Sequence, residues 1–211
     1  MTRSVAALIA VFMIAACGSP PTAAVATVAS VSVQPADLPS GMRRCDVSGD
    51  VNTYLNNIKT KDPSAYTTTK AQWDAAQAKG ATAAQVVFYT DSAANCASVA
   101  SKVSNITAAT YKLVVNFVIQ FKDEAAAATG YTSGKIFGID RSALKTDGAP
   151  VTEGTKTGLG ANSIVLSATI ANQSFYIAVW QDKAFMVILG LINLDAASGQ
   201  KVAVAVNKRI S

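Results

Sequence analysis

Residues 163–194 read SIVLSATIANQSFYIAVWQDKAFMVILGLINL, and this run decides the fold class. Three apolar stretches, 163–170, 175–181 and 184–194, are parted only by residues 171–174 and by Asp182-Lys183, spacers short enough for two consecutive antiparallel hairpins. Within the middle stretch, alternation sends Tyr176, Ala178 and Trp180 to one side of the sheet and Phe175, Ile177 and Val179 to the other. Both sides are apolar. Either the sheet is covered on both sides, or Trp180 and Tyr176, with Phe185 on the next strand, line a pocket for an apolar or sugar-like ligand. The stretch 184–194 is too short to span a membrane and fits a buried strand.

Working outward, residues 85–90 and 111–121 add two further β segments, which brings the expected sheet to about five strands. Helices flank them. Val51, Tyr54, Leu55 and Ile58 fall on one face of a helix over 50–60, behind Ser48 and Asp50 as capping residues. A second helix over 68–79 turns Trp73 inward and stops at Gly80, and a third over 92–103 aligns Cys96, Val99, Ala100 and Val103. The chain closes with a helix over 196–210, whose Val202, Val206 and Ile210 point inward and whose Lys208 and Arg209 suit the negative end of the helix dipole. Asp91, Asp123 and Asp195 each follow a strand and precede an alanine-rich stretch, the position of a capping carboxylate. The expected architecture is one α+β domain over 41–211, an antiparallel sheet with helices packed against it.

Composition narrows the chemistry. The 211 residues contain no histidine, which removes histidine-dependent serine or cysteine catalysis and most zinc sites, so no catalytic residue, metal ligand or cofactor is assigned. A net charge of +5 is spread singly along the chain, apart from Arg43/Arg44 and Lys208/Arg209, and makes no nucleic-acid patch.

The amino end carries an address. Met1 to Arg3 give a short positive start, and residues 5–16 (VAALIAVFMIAA) form a twelve-residue apolar run that fits a signal segment and not a membrane span. Ile14-Ala15-Ala16-Cys17 then resembles the lipobox of bacterial lipoproteins, an aliphatic residue and two small ones before cysteine. The resemblance covers about the first 20 residues. It implies removal of residues 1–16, a diacylglycerol thioether on Cys17 and an acyl chain such as palmitate on the new amino group. Two or three chains give lasting attachment to the extracytoplasmic face of a cell membrane, or to an outer membrane where the host has one. Residues 17–40, with four prolines and one charge, then read as a flexible tether of roughly 25 Å, with an edge strand through Val28, Val31 and Val33 as the alternative.

With Cys17 given to lipid, Cys45 and Cys96 remain as one possible disulfide in an oxidising compartment. Gly154, Gly158 and Gly160 lead into a strand and lack the ending of a phosphate loop, so they read as a turn. The polar stretch 138–160 is the first candidate for a contact surface, with Asp140, Arg141, Asp147 and Glu153 as its charges. Asp/Asn at alternate positions, as calcium needs, is not found there. Two functional expectations follow. The first is a non-enzymatic binding or sensor module of the cell envelope, meeting a small ligand or an envelope protein through Trp180, Tyr176, Asp140, Arg141 and Glu153. The alternatives are a hydrolase built on carboxylates, with Glu124 and Glu153 the sole glutamates, or a structural envelope protein without a small ligand.

Overall fold

The computed structural model describes residues 25–133, 135–137, 139–145 and 150–210. The leader and Cys17 lie outside them. The helices are α1 (Val28–Val31), α2 (Val51–Ile58), α3 (Pro63–Ala78), α4 (Ala93–Ser101), α5 (Glu124–Thr132) and α6 (Ala196–Lys208). The strands are β1 (Arg43–Arg44), β2 (Gly49–Asp50), β3 (Ala81–Thr90), β4 (Leu113–Phe121), β5 (Lys135–Ile136), β6 (Ile139–Asp140), β7 (Val151–Glu153), β8 (Ser163–Ile170), β9 (Gln173–Asp182) and β10 (Phe185–Ile192). The eight-stranded main sheet runs β1-β3-β4-β10-β9-β8-β7, with β2 also on β3, and every pairing in it is antiparallel. The expected class stands. Five strands become eight because β1, β2 and β7 hold two or three residues each, too few to show a period in sequence.

The meander forms as its spacing demands. Ala171 and Asn172 both take positive φ, 49° and 65°, the backbone of a two-residue turn whose twist matches that of the strands it joins. Lys183 does the same at the next hairpin, where the Gln181 amide donates to its carbonyl.

Two apolar layers result. One side of the sheet packs Phe88, Ile119, Val179, Met186 and Ile188 against residues of α2, α3, α4 and α5. The other packs Tyr89, Val118, Tyr176, Trp180, Val187 and Leu189 under Val202, Ala203 and Val206 of α6. The carboxylates of Asp123 and Asp195 accept from the Ala126 and Ser198 backbone N–H groups at 2.7 Å, as caps. Asp91 does not cap α4. Ser92 does, and Asp91 accepts instead from the Asn95 side chain at 2.6 Å.

The tether is shorter than its composition predicts. Val31 and Val33 are 0% and 1% exposed, in a helical turn and an extended segment laid on the α6 side of the sheet, and not in an edge strand. Three long-range partners hold this strap. The Val33 N–H donates to Asn116 Oδ1 at 3.0 Å, and the Tyr89 hydroxyl donates to the Val33 carbonyl at 3.0 Å. Arg209 donates to the Ser32 carbonyl and to both oxygens of Asp37. An apolar residue gains by burial wherever a partner waits, and here the partners lie more than 50 residues away.

Candidate functional site

On the sheet side opposite α6 the helical cover is incomplete. A groove of about 460 Å³ opens between the sheet and α3, and none of the described residues that line it is charged. Its floor follows from strand register. Val115, Gly190 and Ile177 stand side by side on β4, β10 and β9, with Phe117 and Ile188 in the next row one way and Ile192 and Phe175 in the next row the other way. Gly190 is the decisive residue. A Cβ built on it would meet nothing within 4 Å, so the absent side chain leaves open space in the middle of the floor. Glycine inside a strand gives up packing and backbone entropy, and it is found where something else approaches the backbone.

Ser64, Thr68, Thr69 and Gln72 of α3, with Ser104 and Thr107 of the 3-10 segment Val103–Ala108, supply most of the polar part of the lining. Asp62 fixes these two walls together. Its carboxylate caps α3 through the Ala65 N–H at 3.1 Å and accepts from the Ser104 N–H at 2.8 Å. The Ser104 bond, helped by the Ala65 cap, holds the Asp62 carboxyl below its ordinary range. Tyr54, from α2, closes the inner wall, stacked on Phe88 at 5.8 Å and edge-on to Phe117 at 6.2 Å.

Burial pushes the Tyr54 phenol up, and the Asp62 charge adds to it; burial under α6 also raises Tyr176, to about 12. Unfolded tyrosine ionises near 10. Both groups therefore contribute stability that is whole below pH 10 and is lost as pH rises from 10 toward 12, because only the unfolded chain releases the protons there. Urea midpoints should fall from pH 9 to pH 11.5, and the fall should be smaller in a Tyr54→Phe/Tyr176→Phe variant. An equal fall in both proteins would contradict this assignment.

The residues singled out from sequence are not gathered at the groove. Trp180 and Tyr176 are 0% and 2% exposed and lie in the opposite layer. No Cβ fits on Gly199 of α6, because the Tyr176 ring occupies that place; helix and ring are in direct contact, without room for a pocket. The same hairpin does line the groove, through Phe175 and Ile177 on its other face. Arg141 lies over the Tyr131 ring, 4.0 Å from its centre, and Glu153 pairs with Lys145 at 2.7 Å with both side chains half-exposed. Asp140 falls in β6, where only the backbone is described, and Asp147 lies outside the described residues. Glu124 heads α5 and lines neither the groove nor the cleft at the disulfide.

That cleft, about 350 Å³, lies between Arg43–Val47 and α4, beside Asn57 and Lys61. The bond itself is present as expected, Cys45 to Cys96. Thr157 and Ser163 hydroxyls, 2.6 Å apart, close the glycine-rich turn onto the Gly154 carbonyl. Among the described residues no three acidic or cysteine side chains gather as a metal site, and no helix is long and apolar enough to cross a membrane.

Most groove residues carry no signal of their own in sequence, and two of them differ in how far they could be read. Gly190 was legible, as the lone glycine inside FMVILGLI. Phe137 was not, since it sits in a short mixed stretch without periodicity.

No protein family and no curated protein matches the chain. Among solved structures, the fold is similar to the extracellular domain of PknH from Mycobacterium tuberculosis. The match has a TM-score of 0.50 at 9% sequence identity and covers 87% of this chain and 94% of that one. At that identity the likeness is one of fold.

Proposed function

We propose that this protein is a lipid-anchored module of the bacterial cell envelope that works outside the cytoplasmic membrane and binds a small, uncharged apolar ligand in the Gly190 groove. The observation that carries the binding reading is the open floor at Gly190, in a cavity whose volume falls in the range of single-ligand sites and whose described lining residues bear no charge. Support for the location comes from the lipobox-like Ile14-Ala15-Ala16-Cys17 and from the Cys45–Cys96 disulfide, which belongs to an oxidising compartment. The fold it shares with an extracellular domain agrees with both. Packing that begins near Thr27 keeps the domain close to its anchor. The ten peptide units from Cys17 to Thr27 reach at most roughly 35 Å when fully extended.

Gly190→Leu tests the binding reading. Its side chain enters empty space at a backbone position without positive φ, so the sheet should keep its thermal midpoint or gain slightly. A neutral apolar fluorophore, N-phenyl-1-naphthylamine, should bind the native chain and bind Gly190→Leu at least about tenfold more weakly, a loss of about 1.4 kcal/mol. Equal affinity in the two proteins refutes the groove as the site. Mass spectrometry of the protein from its host, reading a diacylglycerol on Cys17 or an unmodified thiol, decides the anchor separately.

A further inference from the structure

One aromatic ring stands at the Phe117 end of the groove. Ile136 and Ile139 pair in the small β5–β6 hairpin, and Phe137 follows Ile136 at its tip with φ at +47°, the left-handed region that a bulky side chain rarely enters. Such strain persists only where the surroundings over-determine it. They do so here. The Phe137 ring is 9% exposed, with its centre 5.2 Å from that of Phe117 on the groove floor and 6.3 Å from that of Trp73 on α3. Phe137 lines the groove and Trp73 does not, so the ring stands between the cavity and the tryptophan.

The dimensions of the groove limit what it takes. From the Phe117 row to the Ile192 row is four residues along β10, roughly 14 Å, and from β4 to β9 is two strand spacings, roughly 10 Å. A volume of about 460 Å³ over that footprint leaves a depth of about one layer of atoms. The occupant is thin, and the longer dimension open to it runs along β10. A charged head would find no partner among the described lining residues, whereas the hydroxyls of Thr68, Ser104 and Thr107 and the Gln72 amide can bond a neutral one.

We propose that the ligand is an uncharged lipid with a single linear alkyl chain, and that Phe137 is the stop that sets how long a chain the groove accepts. This rests on the reading that the groove binds an apolar ligand, and it adds the ligand's chemical class and the residue that selects its length. Each methylene that enters should tighten binding about fourfold until the tail meets the Phe137 ring, after which further methylenes remain in water and add nothing.

The test is displacement of the naphthylamine probe by straight-chain alcohols from octanol to docosanol, with the intact chain and with Phe137→Ala. In the native protein affinity should climb about fourfold per methylene and then level off. In Phe137→Ala the climb should continue to longer chains, and an alcohol brominated at its tail should quench Trp73, which it leaves unquenched in the native protein. Trp180 in the opposite layer serves as the unquenched control, read alone in a Trp73→Phe background. Phe137→Leu, which keeps an apolar side chain at the tip, should shift the plateau by a smaller amount and covers the case in which Phe137→Ala does not fold. A plateau at the same length in all three proteins overturns the role of Phe137 while leaving the groove as a binding site. Tighter binding of a rigid polycycle such as cholesterol than of every alcohol overturns the linear class. No displacement by any alcohol or sterol, together with no probe binding, removes the groove reading itself.

Discussion

Replacing Trp180 with alanine should cost about 3–5 kcal/mol of stability, a large share of the roughly 5–15 kcal/mol by which domains of this size hold together. The indole is wholly buried between the sheet and α6, in the layer with Leu159, Val187, Val202 and Val206, and its removal leaves a cavity that close-packed neighbours fill only in part. Its Nε1–H has no hydrogen-bond partner among the described residues, so Trp180→Phe gives up volume but no hydrogen bond, and should cost much less. Urea unfolding of the two variants measures both numbers. Probe binding to the folded fraction of Trp180→Ala should be unchanged, because the sheet separates this side chain from the groove. A variant of native stability that has lost probe binding would return Trp180 to the role of a ligand contact.

That prediction follows the covered-sheet alternative for Trp180, and what separates it from the pocket alternative is physical. Period-two alternation divides Tyr176 and Trp180 from Phe175 and Ile177, but it does not say which set meets a helix. Sequence therefore leaves both faces open to either role. Two glycines settle the matter. Gly199 lets α6 lie directly on Tyr176, and Gly190 leaves the other face open between Val115 and Ile177. Neither effect is a matter of composition; each exists only once strand register and helix position are set.

Elements with strong local signals were legible. α2 carries its apolar face and its Asp50 cap as expected, and the five long strands lie where the apolar runs are. α3 begins earlier than its apolar pattern indicates, because Asp62 caps it and Pro63 takes the first helical position, where no N–H is needed. The strap through Val31 and Val33 was hidden for the opposite reason. Its composition has no aromatic residue and a single charge, Asp37, and its burial depends on Asn116, Tyr89 and Arg209, which no local window contains. The groove shares that character. Its walls come from α2, α3, the 3-10 segment and the β5–β6 tip, brought over the sheet by tertiary packing.

Removing the Cys45–Cys96 bond is the second change with a large expected effect, and its consequence should extend from stability to binding. The two cysteines are separated by 51 positions, and releasing a loop of that size gives the unfolded chain entropy worth about 4 kcal/mol in the chain-entropy account. In the folded state the change removes only the two sulfur atoms, Cys45 being buried and Cys96 partly so. What distinguishes this variant from Trp180→Ala is the content of the loop. Residues 46–95 include α2 and α3, so the bond fences in the helices that carry Tyr54, Thr68 and Gln72 over the groove. Cys45 ties the start of that segment to α4 at its end, and without the tie the roof is held by its own packing, by the β2–β3 pairing and the Ser48–Phe88 bond just before α2, and by the Asp62 bridge to Ser104. A Cys45→Ala/Cys96→Ala variant should therefore unfold about 4 kcal/mol more easily in urea. It should also show faster amide exchange in α2 and α3 than in β4 and β10 under conditions where the chain remains folded. Its probe affinity should fall with the ordering of the roof, whereas Trp180→Ala leaves affinity intact. A double variant within about 1 kcal/mol of the native chain, with α2 and α3 as protected as before, would mean that packing alone positions the roof and that the disulfide is dispensable to the site.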